Sequence, residues 1–398
     1  MRKTRAIAAV SALFLGAALA AAVPAATASA SVTPETFTYP SNFEAVSAAS
    51  SSDAWAVGSA DINYNDWHGL AEHWNGKTWT KVPVPGTGED NDNLVGVSAY
   101  SPTDAWAVGQ VGTQAVGLSS QVIHWNGKAW AQAAAPVRGP DGYAYILTDI
   151  SVASPDSVWA VGYGGNTSDG IVLHWNGKAW SWSHILGQGD QLLAVTALSP
   201  SNVWAVGSLY TVSSAGEGDY TVLPLVMHWN GKAWSRVSAP ALRGTGTGLD
   251  FMDEEGLTAV SNSSSGLWVT GGFTESGSNV NTAYAARLTG KKWTLFRLPE
   301  QVLYANPTSV AASPSGAWIA GNYGSPDQAA HWNGKTWSPA LIGKIDPDSD
   351  PEAPVISGLA TVSPSSAWAV GCHTTPAEFS TCIAAVYHWN GKTWALSL

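Results

Sequence analysis

Short segments in which apolar and polar residues alternate follow one another along most of the chain. In one unit these segments are residues 43–49, 54–58, 69–74 and 77–84, and they are separated by Ser, Asp, Gly and Asn residues. Alternation with a period of two predicts strands that bury one face, and the separating residues predict turns. This part of the chain is therefore predicted to form a meander of four antiparallel strands.

The same unit recurs seven times. Its second strand has the pattern Trp-Ala-Val-Gly or a variant, with tryptophans spaced 45 to 64 residues apart at Trp55, Trp106, Trp159, Trp204, Trp268, Trp318 and Trp368. The third strand and its turn have the pattern His-Trp-Asn-Gly-Lys-x-Trp, whose second position is occupied by Trp74, Trp125, Trp175, Trp229, Leu288, Trp332 and Trp389. A period near 50 residues in strand-rich units predicts an all-β fold, a seven-bladed β-propeller with four antiparallel strands in each blade.

The Asn-Gly pairs predict how the third and fourth strands are joined. Asn-Gly between strand-forming residues is typical of a two-residue type I′ turn. At Asn75 this turn would pair Trp74 with Lys77 and place His73 on the opposite face, packed and hydrogen-bonded between blades. The fifth unit lacks the pattern at residues 287–293, so its hairpin is expected to be looser.

Twenty of the 22 tryptophans occupy the repeated positions. Two interpretations are open. The rings either pack between blades, where each buries a large apolar area, or form seven equivalent sugar-stacking sites.

The repeats also suggest how the chain is divided. A basic start, an apolar run over 6–23 and the small residues 28–30 indicate a cleavable signal peptide over 1–30. Residues 31–41 would be a short N-terminal segment, and 42–398 the propeller, with approximate blades 42–88, 89–139, 140–188, 189–242, 243–300, 301–342 and 343–398. We therefore expect a secreted, extracellular protein that is monomeric and does not insert into a membrane.

Charge narrows the classes of partner. The chain has 18 Lys and Arg against 29 Asp and Glu, and segment 1–30 contains three of the cations and none of the acids. Eight of the remaining cations are turn lysines, namely Lys77, Lys128, Lys178, Lys232, Lys291, Lys292, Lys335 and Lys392. Few cations remain for a phosphate-binding stripe, so neither nucleic acid nor an anionic membrane is an expected partner.

The two cysteines, Cys372 and Cys382, are ten residues apart in the seventh repeat. They lie near facing ends of two strands that should be antiparallel neighbours. An exported protein reaches an oxidising environment, so we predict a disulfide bond between them.

The links between strands fall into two groups. Those between strands one and two, and between three and four, are short in every unit, whereas the others vary in length. In an antiparallel meander the variable links share one end, here called the looped face, which is the expected place for function. Aromatic and polar residues in these links are our candidates for ligand binding: Tyr64, Trp67, His68, Tyr143, Tyr145, Tyr210, Tyr220, Phe251 and Tyr304.

One acidic link could bind calcium, because Asp346, Asp348, Asp350 and Glu352 place carboxylates on alternate residues. The alternative is solvated loop charge, since Pro347 and Pro351 interrupt the run and no glycine bends it. No other cofactor is expected.

The hairpins at residues 75–79 and 390–394, which read Asn-Gly-Lys-Thr-Trp, resemble those of sialidase-type (Asp-box) propellers. The aspartate of that family's box is absent, because Trp74 and Trp389 occupy its place. The leader and the two repeated patterns together also resemble exported propellers of actinobacteria. These resemblances imply the architecture and not a chemistry, since propellers have many functions.

No catalytic residue is predicted. The chain contains no Gly-x-Ser-x-Gly, His-Glu-x-x-His or phosphate-binding loop. The leading hypothesis is a secreted, lectin-like binding module that recognises cell-surface or polymeric glycans through the looped face. A protein-binding propeller, either an inhibitor or an adhesive subunit, is the first alternative. A glycan-active hydrolase or lyase is the second, because carboxylates on adjacent loops can meet above a propeller axis.

Overall fold

The computed structural model describes residues 40–62, 66–86, 92–113, 117–136, 138–139, 142–164, 169–187, 189–212, 220–240, 256–274, 281–299, 302, 306–322, 329–343, 354–374 and 382–398. In these ranges the backbone forms 28 strands, and it contains no helix long and apolar enough to cross a membrane. Each sheet consists of four consecutive antiparallel strands. The fold is the predicted seven-bladed β-propeller.

Blades 1 to 4 are built from β1 Ser41–Ser50, β2 Asp53–Asp61, β3 Trp67–Trp74 and β4 Trp79–Lys81; β5 Asn93–Ser101, β6 Asp104–Thr113, β7 Gly117–Trp125 and β8 Trp130–Gln132; β9 Tyr145–Ser154, β10 Ser157–Gly164, β11 Asp169–Trp175 and β12 Trp180–Ile185; and β13 Asp190–Ser199, β14 Asn202–Val212, β15 Tyr220–Trp229 and β16 Trp234–Arg236. Blades 5 to 7 are built from β17 Gly256–Ser263, β18 Gly266–Thr274, β19 Asn281–Thr289 and β20 Lys292–Arg297; β21 Asn306–Ala312, β22 Ala317–Asn322, β23 Ala329–Trp332 and β24 Trp337–Ala340; and β25 Val355–Ser363, β26 Ser366–Thr374, β27 Cys382–Trp389 and β28 Trp394–Leu396.

In six blades, the glycine that ends the Trp-Ala-Val-Gly pattern is required by a bulge in the innermost strand. The bulge between Phe43 and Ala45 brings the Asn42 carbonyl against the α-carbon of Gly58, where a Cβ would collide with it. The same collision would occur at Gly109, Gly162, Gly207, Gly271 and Gly371.

Four-residue turns join the third and fourth strands in six of the blades, so the prediction of a two-residue turn is wrong there. Trp74 pairs with Trp79 rather than with Lys77. Asn75 Oδ1 accepts hydrogen bonds from the N–H groups of Lys77 (3.0 Å) and Thr78 (3.1 Å), and these bonds close the wider turn. His73 and Trp74 still lie on opposite faces, as adjacent residues of a strand must.

The fifth blade has the short turn that the other blades lack. Thr289 pairs with Lys292, so only Gly290 and Lys291 form the loop. Its outer strand β20 is six residues long, whereas β4 has three. In place of the repeated histidine, Arg287 lies 5.1 Å from the centroid of the Trp268 ring. The expectation of a looser hairpin is therefore wrong.

The repeated tryptophans form the contacts between blades. Trp55 is fully buried, and its ring lies 4.9 Å from that of Trp125 and 4.8 Å from that of Trp130 in the next blade, both edge to face. Trp106, Trp159 and Trp318 make equivalent contacts with the blades that follow them. These contacts support the packing interpretation of the rings.

Five of the six repeated histidines are packed and hydrogen-bonded, as predicted, although their partners lie within their own blade, and His331 is packed on Trp318. The His73 ring stacks on Trp55 at 4.4 Å, and its Nε2 lies 2.7 Å from Asp53 Oδ1. In the other blades the partners of His124, His174, His228 and His388 are Asp104, Ser157, Asn202 and Ser366.

Ring closure uses the same edge-to-face tryptophan contact as five of the other six blade boundaries. Within the described residues, blades 1 and 7 each contain their own four strands, and no strand is exchanged between them. The Trp368 ring of blade 7 packs edge to face on Trp79 of blade 1 at 5.1 Å. Trp79 Nε1 donates to Ser397 Oγ (3.2 Å), and the Ala384 N–H donates to Ser41 Oγ (3.0 Å).

Candidate functional site

The looped face contains only part of the predicted ligand-binding set within the described residues. Trp67 and His68 are half-buried, while Tyr143 and Tyr210 are 51% and 39% exposed. Tyr145 is 3% exposed and packs against Trp182 in the core, so it does not belong to this surface. Tyr220 begins β15, but its side chain lies outside the described part, as do residues Tyr64, Phe251 and Tyr304.

The best-defined cluster of this face lies where β2 and β3 of blade 1 meet. Asp61 and Trp67 are paired across the two strands. His68 Nε2 lies 2.8 Å from Asp66 Oδ1, and the Asp66 N–H donates to Asp61 Oδ1 (3.2 Å). The Asp92 N–H donates to the Trp67 carbonyl (2.9 Å). Backbone and carboxylate contacts thus hold an aromatic ring beside an imidazole and a carboxylate that are each about one-third exposed.

This cluster can stack on an apolar ring face and hydrogen-bond to hydroxyl groups. Carboxylate and imidazole groups with fixed orientation suit polyhydroxylated ligands, and the half-buried indole offers a flat surface. Among the described residues, no group of three or more His, Cys, Asp or Glu side chains could hold a metal ion. The predicted calcium ligands Asp346, Asp348, Asp350 and Glu352 lie outside the described residues.

The predicted disulfide is confirmed. Cys372 of β26 and Cys382 of β27 are bonded, with their α-carbons 5.5 Å apart. The bridge ties together the two strands at the base of the 375–381 link, on the looped face.

The propeller has a central channel that was not predicted from the sequence. The seven innermost strands enclose a cavity of about 200 Å³ whose lining includes Glu44 and Asp149. Asp149 accepts hydrogen bonds from the N–H groups of Ile150 and of Val195 in the next blade, both at 2.8 Å. Burial nevertheless raises the pKa of Asp149 to about 7, and burial also raises the pKa of Glu44.

A signal for Asp149 was present in the repeats. Six of the seven units have Ala, Gly or Ser at this bulge position, as in Ala45, Gly96 and Ser309. An acid at a position of small residues marks the third blade as different. Ser309 shows that the position can bridge blades, since its Oγ accepts the Leu359 N–H at 3.0 Å.

A groove of about 990 Å³ runs between the outer parts of blades 6 and 7. Its lining combines Leu341, Leu396 and Trp389 with His331 and Lys392. Gly316 stands where other blades carry the polar partner of the repeated histidine, and a Cβ there would lie 3.4 Å from His331 Nε2. Burial lowers the pKa of His331. The groove therefore contains an imidazole without the side-chain partner found in other blades.

Comparisons with known proteins support the fold alone. No family model matches the chain, and no curated protein matches it. Among solved structures it is similar to YCF48 bound to D1 peptide, with 16% sequence identity, a TM-score of 0.50, and coverage of 85% of this chain and 92% of that chain. The class is thus a seven-bladed β-propeller.

Proposed function

We propose that this chain is an exported, non-catalytic binding module that recognises glycans through its looped face. The observation that carries the proposal is the blade 1 cluster, in which Trp67 lies beside the hydrogen-bonded pair of Asp66 and His68. Export rests on the sequence of residues 1–30. A scaffold with one uniform end and one end of variable links is typical of proteins that present a binding surface.

The test is binding of residues 31–398 to an array of soluble glycans and bacterial wall polymers. A hit that free sugar competes away, and that Trp67→Ala weakens at least about fivefold, supports the proposal, because one stacked aromatic contributes about 1–2 kcal/mol. Trp293→Ala is the matched control. Trp293 is also half-buried, but it lies at the opposite end of its blade, where its Nε1 donates to the Ser238 carbonyl (2.6 Å).

Equal loss in both variants would mean that the Trp67 effect is structural. A folded protein that binds nothing on the array would refute glycan recognition.

A peptide is the second candidate ligand, favoured by the groove between blades 6 and 7. An extended peptide could place apolar side chains on Leu341 and Leu396 and a backbone polar group opposite His331. YCF48 was solved bound to D1 peptide, so a propeller of this general fold accommodates such a ligand.

The groove is tested by selection from a random peptide library, followed by Leu341→Arg. Leu341 is 39% exposed and lines the groove, whereas Leu295, at 40%, is on the outer strand of blade 5 and serves as the control site. Selected peptides should lose binding to Leu341→Arg and keep it for Leu295→Arg. Equal binding to both variants would exclude the groove.

A further inference from the structure

The end of the propeller opposite the looped face has a regular arrangement of charge. All of its links lie within the described residues, and each turn between the third and fourth strands contains an exposed lysine: Lys77, Lys128, Lys178, Lys232, Lys291, Lys335 and Lys392. We call this set the lysine ring. The equivalent position of these turns in seven similar blades places the ring near one plane.

Acidic residues are nearly absent from the same end. Asp156 is the one exposed acid in its links, while Asp53 and Asp104 are held by the ring nitrogens of His73 and His124 at 2.7 and 2.9 Å. The face is therefore cationic on a chain whose formal net charge is −11.

The turns that carry the lysines are fixed. In blade 2, for example, Asn126 Oδ1 accepts hydrogen bonds from the N–H groups of Lys128 and Ala129, at 3.0 and 3.1 Å. Trp125 Nε1 donates to the Pro102 carbonyl of the neighbouring link (3.0 Å), which ties the two links of this end together. The same asparagine contact occurs in six of the seven turns. These lysine backbones are thus held in place before any ligand binds, which lowers the cost of ordering them.

Half-buried tryptophans lie directly behind the ring. Trp74, Trp175, Trp229 and Trp389 each end the third strand of a blade, immediately before the lysine-bearing turn. Lysine heads with indole rings behind them are the residue types that favour the boundary between water and phospholipid headgroups.

The acids of the looped face do not cancel this charge locally. The nine-residue strand β2 spans about 30 Å between the two ends. This distance is about four Debye lengths at physiological ionic strength, so charges at the far end are screened.

We propose that this end docks flat on a bilayer containing anionic phospholipids, through contacts of the lysine ring with phosphate headgroups. A plane of cations matches a plane of phosphates better than a linear polyanion, which would reach only a few of the seven lysines at once. The expectation against anionic membranes counted only the cations outside the turns, whereas the structure brings the turn lysines to one face. Docked in this way, the propeller presents its looped face to the solvent.

Sedimentation of residues 31–398 with vesicles tests the proposal. One set contains phosphatidylcholine with about one-third phosphatidylglycerol and the other phosphatidylcholine alone. We expect binding to the first set only, and its loss in about 0.5 M NaCl, where the Debye length falls to about 4 Å. Lys128→Gln with Lys178→Gln should weaken binding about twenty-fivefold, since each lysine near an anionic surface contributes about fivefold.

The matched control removes two cations elsewhere. Arg138 and Arg297 are exposed and lie on the looped side of their blades, so Arg138→Gln with Arg297→Gln should leave vesicle binding within about twofold. Equal weakening in both double variants would show a general charge effect and overturn the proposal. Absence of wild-type binding to anionic vesicles, or equal binding to neutral ones, would also overturn it.

Discussion

Replacing the buried carboxyl of Asp149 should remove a pH dependence from the stability of the ring. Asp149 lies in the central channel, where its two oxygens accept the Ile150 and Val195 N–H groups. Burial outweighs these bonds and raises its pKa from 3.8 to about 7. Between these two values the unfolded chain has lost the proton that the folded chain keeps.

The sign follows from linkage between protonation and folding. The stability contributed by the protonated carboxyl is fully present below about pH 4 and is lost as the pH rises towards 7. A pKa difference of about three between the folded and unfolded chain corresponds to a change of at most about 4 kcal/mol in the free energy of unfolding. Because the side chain borders the central cavity, where water can enter, we expect about half of this limit.

The assay is urea unfolding of wild type and Asp149→Asn at intervals between about pH 4.5 and 7.5. Asparagine has nearly the same size, accepts one of the two hydrogen bonds and does not titrate. The difference in free energy of unfolding between the two proteins removes the contribution of the other titrating groups. Among these are His174, His228 and His388. Burial lowers their pKa values, so their contribution to the pH dependence has the opposite sign.

The free energy of unfolding of wild type relative to the variant should fall by about 2 kcal/mol as the pH rises across this range. A difference that stays constant with pH would show that the Asp149 carboxyl titrates normally in the folded protein, and would refute the reasoning.

Three further predictions concern the scaffold. Gly162→Ala should destabilise the fold by about 3 kcal/mol, because the new Cβ would meet the carbonyl of Ile146, whereas Gly187→Ala, with nothing within 4 Å, should change the urea midpoint little. Arg287→Ala should lower the free energy of unfolding by about 1–2 kcal/mol through loss of its contacts with Trp268 and Phe296, and a thermal midpoint equal to that of wild type would contradict this. Reduction of the disulfide should cost about 2–3 kcal/mol, measured by urea unfolding with and without reductant; the variant that replaces both cysteines with serine should not respond to reductant.

The lysine turns show where local sequence signals fail. Asn-Gly predicts a two-residue turn from backbone preference alone. In six blades the asparagine side chain instead accepts two backbone hydrogen bonds and widens the turn by two residues, as Asn75 does. Only the fifth blade, which has no asparagine there, forms the short turn at Gly290 and Lys291. Competition between a side chain and the backbone for the same N–H groups decided the register.

The sequence by itself determined the architecture of this protein. Seven copies of one alternating pattern can bury their apolar faces only against one another, so the number of blades, the inward-facing tryptophans and the positions of the paired cysteines follow from the repeats. The surroundings of individual side chains depend on the neighbouring blades, and only the tertiary structure decided them. Asp149 accepts a hydrogen bond from the backbone of blade 4, and burial in the central channel raises its pKa. His331 faces an open groove because Gly316 and blade 7 leave space there. Burial and charge proximity are properties of groups far apart in sequence, and folding brings those groups together.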